Sequence, residues 1–257
     1  MAELPDLTVF ADILSRKFTG QTVEEITITE ARKLNVSADK LKTTLEGKKL
    51  EMVTREGKTL QFHFAGGEAL GLHLMLRGEL VDLEADETPR FQVMAMRFDN
   101  GKGFAVVDLQ KQATLTLQPP PLNVPDALAM DGEYFADLLS KKRTLIKTLL
   151  MDQKLVRGIG NSYADEILYH AGISPFSVAK SIPANRVSKL YKSIADVLNK
   201  AVKQIAEAND DELRGELKDF MTVHSPKLKT TAKGEAIKTE KIGGRTTYYT
   251  DAQELYM

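Results

Sequence analysis

The chain has 257 residues, 42% of them hydrophobic, enough for one large domain or two smaller ones, each with a core. It has no run of ~18 apolar residues, no basic-then-apolar leader at its start and no cysteine, so no membrane span, signal peptide, disulfide or cysteine zinc site is expected. Its net charge of −1 and isoelectric point of about 6.5 argue mildly against nucleic acid, so the distribution of charge has to carry that question.

Residues 2–16 carry Val9, Phe10, Ile13 and Leu14 at helical spacing, with Pro5 placed for a first turn. Residues 21–118 predict strands. Residues 23–28 are rich in β-formers, and 34–50 hold a short helix and strand. Arg55-Glu56-Gly57-Lys58 is a basic hairpin tip. Residues 61–64 and 71–76 alternate or run apolar between turn signals such as Ala65-Gly66-Gly67. Asp99-Asn100-Gly101-Lys102-Gly103 is a hairpin turn, with strands expected over 104–109 and 113–117. A β-sandwich is the architecture this pattern favours. Pro119-Pro120-Pro121 with Pro125 forms a stiff linker. Helices are expected over 134–141, 145–152, 162–171, 183–209 and 211–220. In the fourth of these, Leu190, Ile194, Val197, Leu198, Val202 and Ile205 trace a core-facing stripe.

The most informative stretch is Lys154 to Leu168. A basic, glycine-broken turn runs into an amphipathic segment. Gly158 and Gly160 permit positive φ or close approach, and Asn161 or Ser162 is placed to cap the helix, with Asp165 and Glu166 near its start. A helix N-terminus following Lys154 and Arg157 is a ready phosphate site, although the same glycines fit an ordinary interhelical turn. Lys141, Lys142, Arg143, Lys147, Lys154 and Arg157 cluster with Asp152 alone among them. Lys227, Lys229, Lys233, Lys238, Lys241 and Arg245 form a second cluster, while acids collect in 82–87 and 207–216. Two basic clusters, each flanking a candidate phosphate-binding turn, favour DNA. His63, His73, His170 and His224 lack metal-ligand spacing, so neither metal nor cofactor is expected.

Residues 150–175 resemble the helix-two-turns-helix of the formamidopyrimidine-DNA glycosylase / endonuclease VIII family, in Leu150 to Lys154, Gly158-Ile159-Gly160-Asn161, Tyr163-Ala164, Glu166 and Ala171-Gly172-Ile173-Ser174-Pro175. The resemblance implies that Lys154 and Asn161 bind phosphates beside a lesion. Glu3, Leu4 and Pro5 match the family's opening, Asp6 keeps its acidic charge, and Ala2 replaces its nucleophilic proline. Lys58 matches a lysine that serves the lyase step. His73-Leu74-Met75-Leu76-Arg77-Gly78 resembles the family segment whose Met or Leu fills the hole left by a flipped base, and Leu76 is the matching position. The family's Asp-Pro-Arg-Arg-Phe is here Asp108-Leu109-Gln110-Lys111-Gln112, so the arginine facing the orphaned base becomes Lys111 and the wedge phenylalanine becomes Gln112. Ile242-Gly243-Gly244-Arg245 is similar to the tip of the family's terminal zinc finger, whose arginine enters the minor groove. The zinc cysteines fall at Thr230, Lys233, Thr250 and Gln253, which marks a zincless finger.

The resemblance implies an α+β multidomain chain with an N-terminal β-sandwich (1–124), a helix-two-turns-helix domain (125–221) and a zincless β-hairpin finger (222–257). It implies a DNA glycosylase with abasic-site lyase activity, acting on oxidised bases in base excision repair through a Schiff base on the N-terminal amine. The expected partner is double-stranded damaged DNA, with no membrane, for a monomer in the bacterial cytoplasm at the nucleoid. Catalysis falls to Ala2, Glu3 and Lys58, and DNA binding to Lys154, Asn161, Arg245, Leu76, Lys111 and Gln112. The short segment after Phe220 and the Arg-x-Gly-Lys turn point to oxidised pyrimidines, ring-opened bases and hydantoins over 8-oxoguanine. Two other classes stay open: a non-catalytic lesion-binding relative, in keeping with the departures at Ala2, Lys111 and Gln112, and a structural nucleic-acid module, which would not need Glu3 and Lys58.

Overall fold

The computed structural model describes residues 1–84, 87–209, 211–213 and 216–257. The chain divides into two compact units, Met1–Pro121 with Ile205–Glu216, and Leu122–Gln204 with Leu217–Met257.

The first unit opens with helix α1 (Leu4–Phe18). Glu3 and Asp6 close a capping box at its start, with Glu3 N donating to Asp6 Oδ2 at 3.0 Å. Pro5 lies in the first turn, where its missing N–H leaves no bond unmade. Leu7, Phe10, Ile13, Leu14 and Phe18 form the buried face of α1. Strands β1 (Val23–Ile28), β2 (Leu50–Glu56), β3 (Thr59–Phe64), β4 (Glu68–His73), β5 (Glu79–Leu83), β6 (Gln92–Phe98), β7 (Gly103–Val107) and β8 (Thr114–Leu117) follow, with helix α2 (Ala38–Leu45) between β1 and β2. They form two antiparallel sheets, ordered β1-β6-β7-β5 and β2-β3-β4-β8. Phe62 of the second sheet stacks on Phe104 of the first at 5.2 Å, and Phe18 of α1 stacks on Phe98 at 4.6 Å. Aromatic side chains from the inner faces thus fill the sandwich core.

Register decides what gathers at one end of the second sheet. Leu60 pairs with Leu72, and His73 with Thr114. The Gly57-Lys58 turn, the turn after His73 and the loop before Thr114 therefore emerge together. The expected strand over 71–76 stops at His73, because the chain reverses in a tight turn there. Gly78 N donates to Leu74 O at 2.9 Å, and a Cβ on Gly78 would lie 2.2 Å from that oxygen, so only glycine closes it. The strand expected over 104–109 likewise ends at Val107, where the Asp108 carboxylate captures the loop backbone.

The helix expected over 211–220 does not form among the described residues, and its residues 214 and 215 lie outside them, as do 85, 86 and 210 of the acidic runs. Asp211 takes a left-handed φ of 59° and pairs with Arg16, and Leu213 N donates to Asp82 Oδ2 at 3.4 Å. The Asp211 side chain and the Leu213 N–H thus serve tertiary anchoring.

The second unit holds α3 (Gly132–Lys141), capped by Asp131 accepting from Tyr134 N at 2.7 Å, then α4 (Ile146–Met151), α5 (Asn161–Ala171) and α6 (Ala184–Ala208). Helix α5 stops at Gly172, whose φ of 70° suits the left-handed C-cap. Leu190, Ile194, Leu198 and Ile205 of α6 are buried, as the apolar stripe predicts, while Val197 and Val202 of that stripe are half-buried. The chain closes with hairpin β9 (Lys238–Ile242) and β10 (Arg245–Tyr249). Gly243 and Gly244, at φ 55° and 77°, make the two-residue turn with positive φ at both positions that the strand twist favours.

Candidate functional site

In the first unit, a cavity of about 440 Å³ is lined by Met1, Ala2, Leu74, Leu76, Arg77, Glu79 and Glu216 among others. The Met1 ammonium pairs with Glu216 in this cavity. Ala2 is buried directly behind it, and Glu3 is also buried, as the N-cap of α1. Arg55 donates from Nε to Thr8 Oγ1 at 2.9 Å and from Nη1 to Gly57 O at 3.1 Å. Thr8 in turn donates to Leu4 O at 2.8 Å, so one guanidinium fixes the Lys58 turn against the first turns of α1. Lys58 itself is only 8% exposed. His73 faces it. Burial, and then the Lys58 charge, push the imidazole below its ordinary pKa, and its Nδ1 accepts from Met75 N at 2.9 Å. The first unit thus contains Ala2, Glu3 and Lys58 with the exposed Leu76 on the Gly78-closed turn. Glu216 and His73 were not expected to belong to it, since only the fold reveals their company.

Lys111 and Gln112 lie on the loop before β8. The buried Asp108 carboxylate accepts from Gln110 N at 2.8 Å, Gln112 N at 2.7 Å and Ala113 N at 2.9 Å. Lys111 takes a left-handed φ of 54°, and its ammonium lies 3.6 Å from Glu30. Arg32, hydrogen-bonded to Glu30, holds that carboxyl at about 2, so it is ionised at any working pH. The Gln112 side chain donates to Gln110 O at 3.1 Å.

In the second unit, the turn ahead of α5 is braced by Gln153, a residue with no expected role of its own. Gln153 accepts from Gly158 N at 2.9 Å and donates to Ile159 O at 2.8 Å. Gly158 has the expected positive φ of 102°, whereas Gly160 has ordinary extended backbone. Lys154 is exposed. Arg157 instead turns inward and donates to Val124 O at 2.5 Å, anchoring the linker. Asn161 is the first residue of α5 and not its cap, which is Gly160. Its Nδ2 donates to Thr246 O at 3.0 Å, leaving a second amide hydrogen for an outside acceptor.

Asp165 and Glu166 also sit elsewhere than expected. They are buried past the first turn of α5 and hold other segments in place. Lys147, assigned from sequence to a basic cluster, is fully buried and pairs with Asp165 at 2.7 Å. It also donates to Thr247 Oγ1 at 2.8 Å. The other Asp165 oxygen takes Tyr248 N at 2.9 Å and meets His224 Nδ1 at 2.7 Å. With Asn161 on Thr246, three consecutive residues of β10 are gripped, next to Arg245. Glu166 accepts from Thr222, Val223 and His224 N–H groups at 2.8–3.1 Å.

Two of the positions matching the family's zinc ligands, Thr250 and Gln253, are tied by a hydrogen bond. Gln253 accepts from Thr250 N and donates to Ile173 O, each at 2.8 Å, while Glu235 receives Tyr169 OH at 2.7 Å and Thr231 Oγ1 at 3.2 Å. No group of three or more His, Asp or Glu suited to a metal ion occurs among the described residues. The hairpin leaves Arg245 exposed at its tip. The arrangement presents an amine-lined cavity in one unit and a braced cationic surface in the other.

Residues 1–115 match the formamidopyrimidine-DNA glycosylase N-terminal domain, and residues 122–211 match the formamidopyrimidine-DNA glycosylase H2TH domain. The chain is 28% identical to the formamidopyrimidine-DNA glycosylase of Desulforamulus reducens, over 97% of both chains. It is 29% identical to that of Heliobacterium modesticaldum, over 97% of this chain and 98% of the relative. Among solved structures, Lactococcus lactis Fpg in complex with DNA containing an abasic site superimposes with a TM-score of 0.90 at 25% identity, over 98% of this chain and all of that one. The same enzyme with DNA containing an N7-benzyl-Fapy-dG superimposes equally well.

Proposed function

The chain belongs to the formamidopyrimidine-DNA glycosylase family and is a DNA glycosylase of base excision repair, and from that premise we propose how its own residues carry the reaction. The substrate is an oxidised base in double-stranded DNA. Chemistry on a stacked base requires that the nucleotide leave the helix, and the cavity beside the N-terminus receives it. Removal of Met1 exposes the Ala2 amine in that cavity. An α-amine has a reference pKa of about 7.7–8.0, so an appreciable fraction is neutral near pH 7. Its lone pair attacks the sugar C1′, the base departs, and Glu3 protonates the ring oxygen as the sugar opens. The resulting imine is secondary, so it needs a proton to become the cationic electron sink. β-Elimination then breaks the 3′ phosphate bond and gives the abasic-site lyase activity. Lys58 serves this step, while Lys154, Asn161 and Arg245 hold backbone phosphates.

The observation that carries this reading is the N-terminal amine inside a cavity, in the same unit as buried Glu3 and Lys58. The test is borohydride trapping of the Ala2-terminated protein on abasic DNA, with the crosslink mapped by mass spectrometry. A crosslink on the Ala2 amine is expected. A crosslink on Lys58 moves the nucleophile. Tight lesion binding with no crosslink favours a non-catalytic lesion-binding relative, the reading in keeping with Ala2, Lys111 and Gln112. A chain that keeps Met1 fills the cavity with an ammonium paired to Glu216 and is expected to be inactive.

A further inference from the structure

A glycosylase that turns a nucleotide out of a duplex leaves a gap, and proteins hold such openings with apolar side chains pushed between base steps. Resting on the DNA glycosylase reading above, we propose that Leu109 is such a wedge, working beside Leu76. Leu109 is 66% exposed and Leu76 57%, more than any other large hydrophobic side chain described in the first unit. A lone exposed leucine is ordinary. These two sit on braced turns at the same end of one sheet, because His73 pairs with Thr114. The Leu76 turn is closed by Gly78. The Leu109 turn is closed by Lys111 N donating to Asp108 O at 3.1 Å and by the Asp108 carboxylate with its three backbone donors.

That bracing holds Leu109 in water when the loop could otherwise fold it onto the core. It also prepays the ordering that insertion would require. Gln112, the position matching the family's wedge, is unsuited to the role. Its amide turns back onto Gln110 O at 3.1 Å, and stacking it between bases would strip that group of its partner. The apolar tooth has moved three residues along the same loop.

The test uses a duplex carrying a tetrahydrofuran abasic analogue with 2-aminopurine next to the gap. Fluorescence reports unstacking and anisotropy reports affinity. Leu109→Ala, Leu109→Phe and Gln112→Ala are compared with the unaltered protein, each also trapped by borohydride on single-stranded abasic DNA. Leu109→Ala is expected to lose most of the fluorescence rise and to bind roughly tenfold more weakly, the scale of lost apolar burial of one leucine side chain. Leu109→Phe and Gln112→Ala are expected to keep both signals, and all variants to trap equally on the single strand, where no gap needs filling. Unchanged fluorescence and affinity in Leu109→Ala, or their loss in Gln112→Ala, overturns the proposal. An unaltered protein that neither binds nor traps abasic DNA overturns the glycosylase reading, and the wedge with it.

Discussion

His73 accepts from the turn that carries Leu76 and feels the charge of Lys58, and its protonation state follows from both. Its Nδ1 is an acceptor, so the neutral ring carries its proton on Nε2. Burial first, and Lys58 second, lower its pKa below 6.5. The unfolded chain therefore takes up this proton more readily than the folded one. Stability linked to His73 is whole above about pH 6.5 and is lost as pH falls toward the folded-state pKa. Nitrogen-15 NMR of the imidazole is expected to show a neutral Nε2–H tautomer at pH 6.5, and a half-protonated ring there would contradict the assignment. Arg245 makes the second prediction at this scale. Arg245→Ala should weaken DNA binding by about 1–3 kcal/mol and lower its salt slope by about 1. Binding unchanged across a salt series would remove Arg245 from the interface. Lys58, Leu76 and Arg245 could be proposed from sequence because each falls in a short motif that resembles a family segment. Asp165, Gln153 and Glu216 were not, since their partners are supplied by packing, in the case of Asp165 and Tyr248 by a residue 83 positions away.

The β9–β10 hairpin is held by buried side chains of α4 and α5. The fully buried Lys147–Asp165 pair is the centre of that arrangement. Removing one partner strands a charge in the interior, which typically costs 3–5 kcal/mol. Asp165→Ala is expected to lose that much by chemical denaturation, and also to release Tyr248 and His224. A loss below about 1 kcal/mol would show that solvent already reaches the pair. Chelators are expected to leave both melting temperature and activity unchanged, and loss of either on chelation would reveal a metal. The hairpin itself was readable from Gly243-Gly244, because positive φ at both positions is a local demand. The tight turn at Leu74–Gly78 was not, because Leu74-Met75-Leu76 reads as the continuation of a strand until Gly78 is seen to close on Leu74. The helix expected over 211–220 failed for a related reason: Asp211 takes a left-handed φ and Leu213 N donates to the Asp82 side chain.

At the scale of the whole chain, the net charge of −1 is reconciled with DNA by where the charges point. Lys147 and Arg157 turn inward, while Lys154 and all of the second cluster, Lys227 to Arg245, stay exposed. The lesion preference expected from the sequence rests on a segment whose backbone is already committed. The segment after Phe220 is short, and the N–H groups of Thr222, Val223 and His224 are all bound to the Glu166 carboxylate. Releasing them would leave that buried carboxylate without its donors, at a cost of more than one hydrogen bond. Oxidised pyrimidines, ring-opened bases and hydantoins are the lesions that the resemblance favours for a chain with so short a segment. We therefore expect defined duplexes carrying those lesions to be cleaved faster than 8-oxoguanine opposite cytosine. Glu166→Gln, which loosens the segment by weakening three charge-assisted bonds, should narrow the difference. If 8-oxoguanine opposite cytosine proves the fastest substrate of the unaltered protein, the committed backbone at 222–224 does not set the preference.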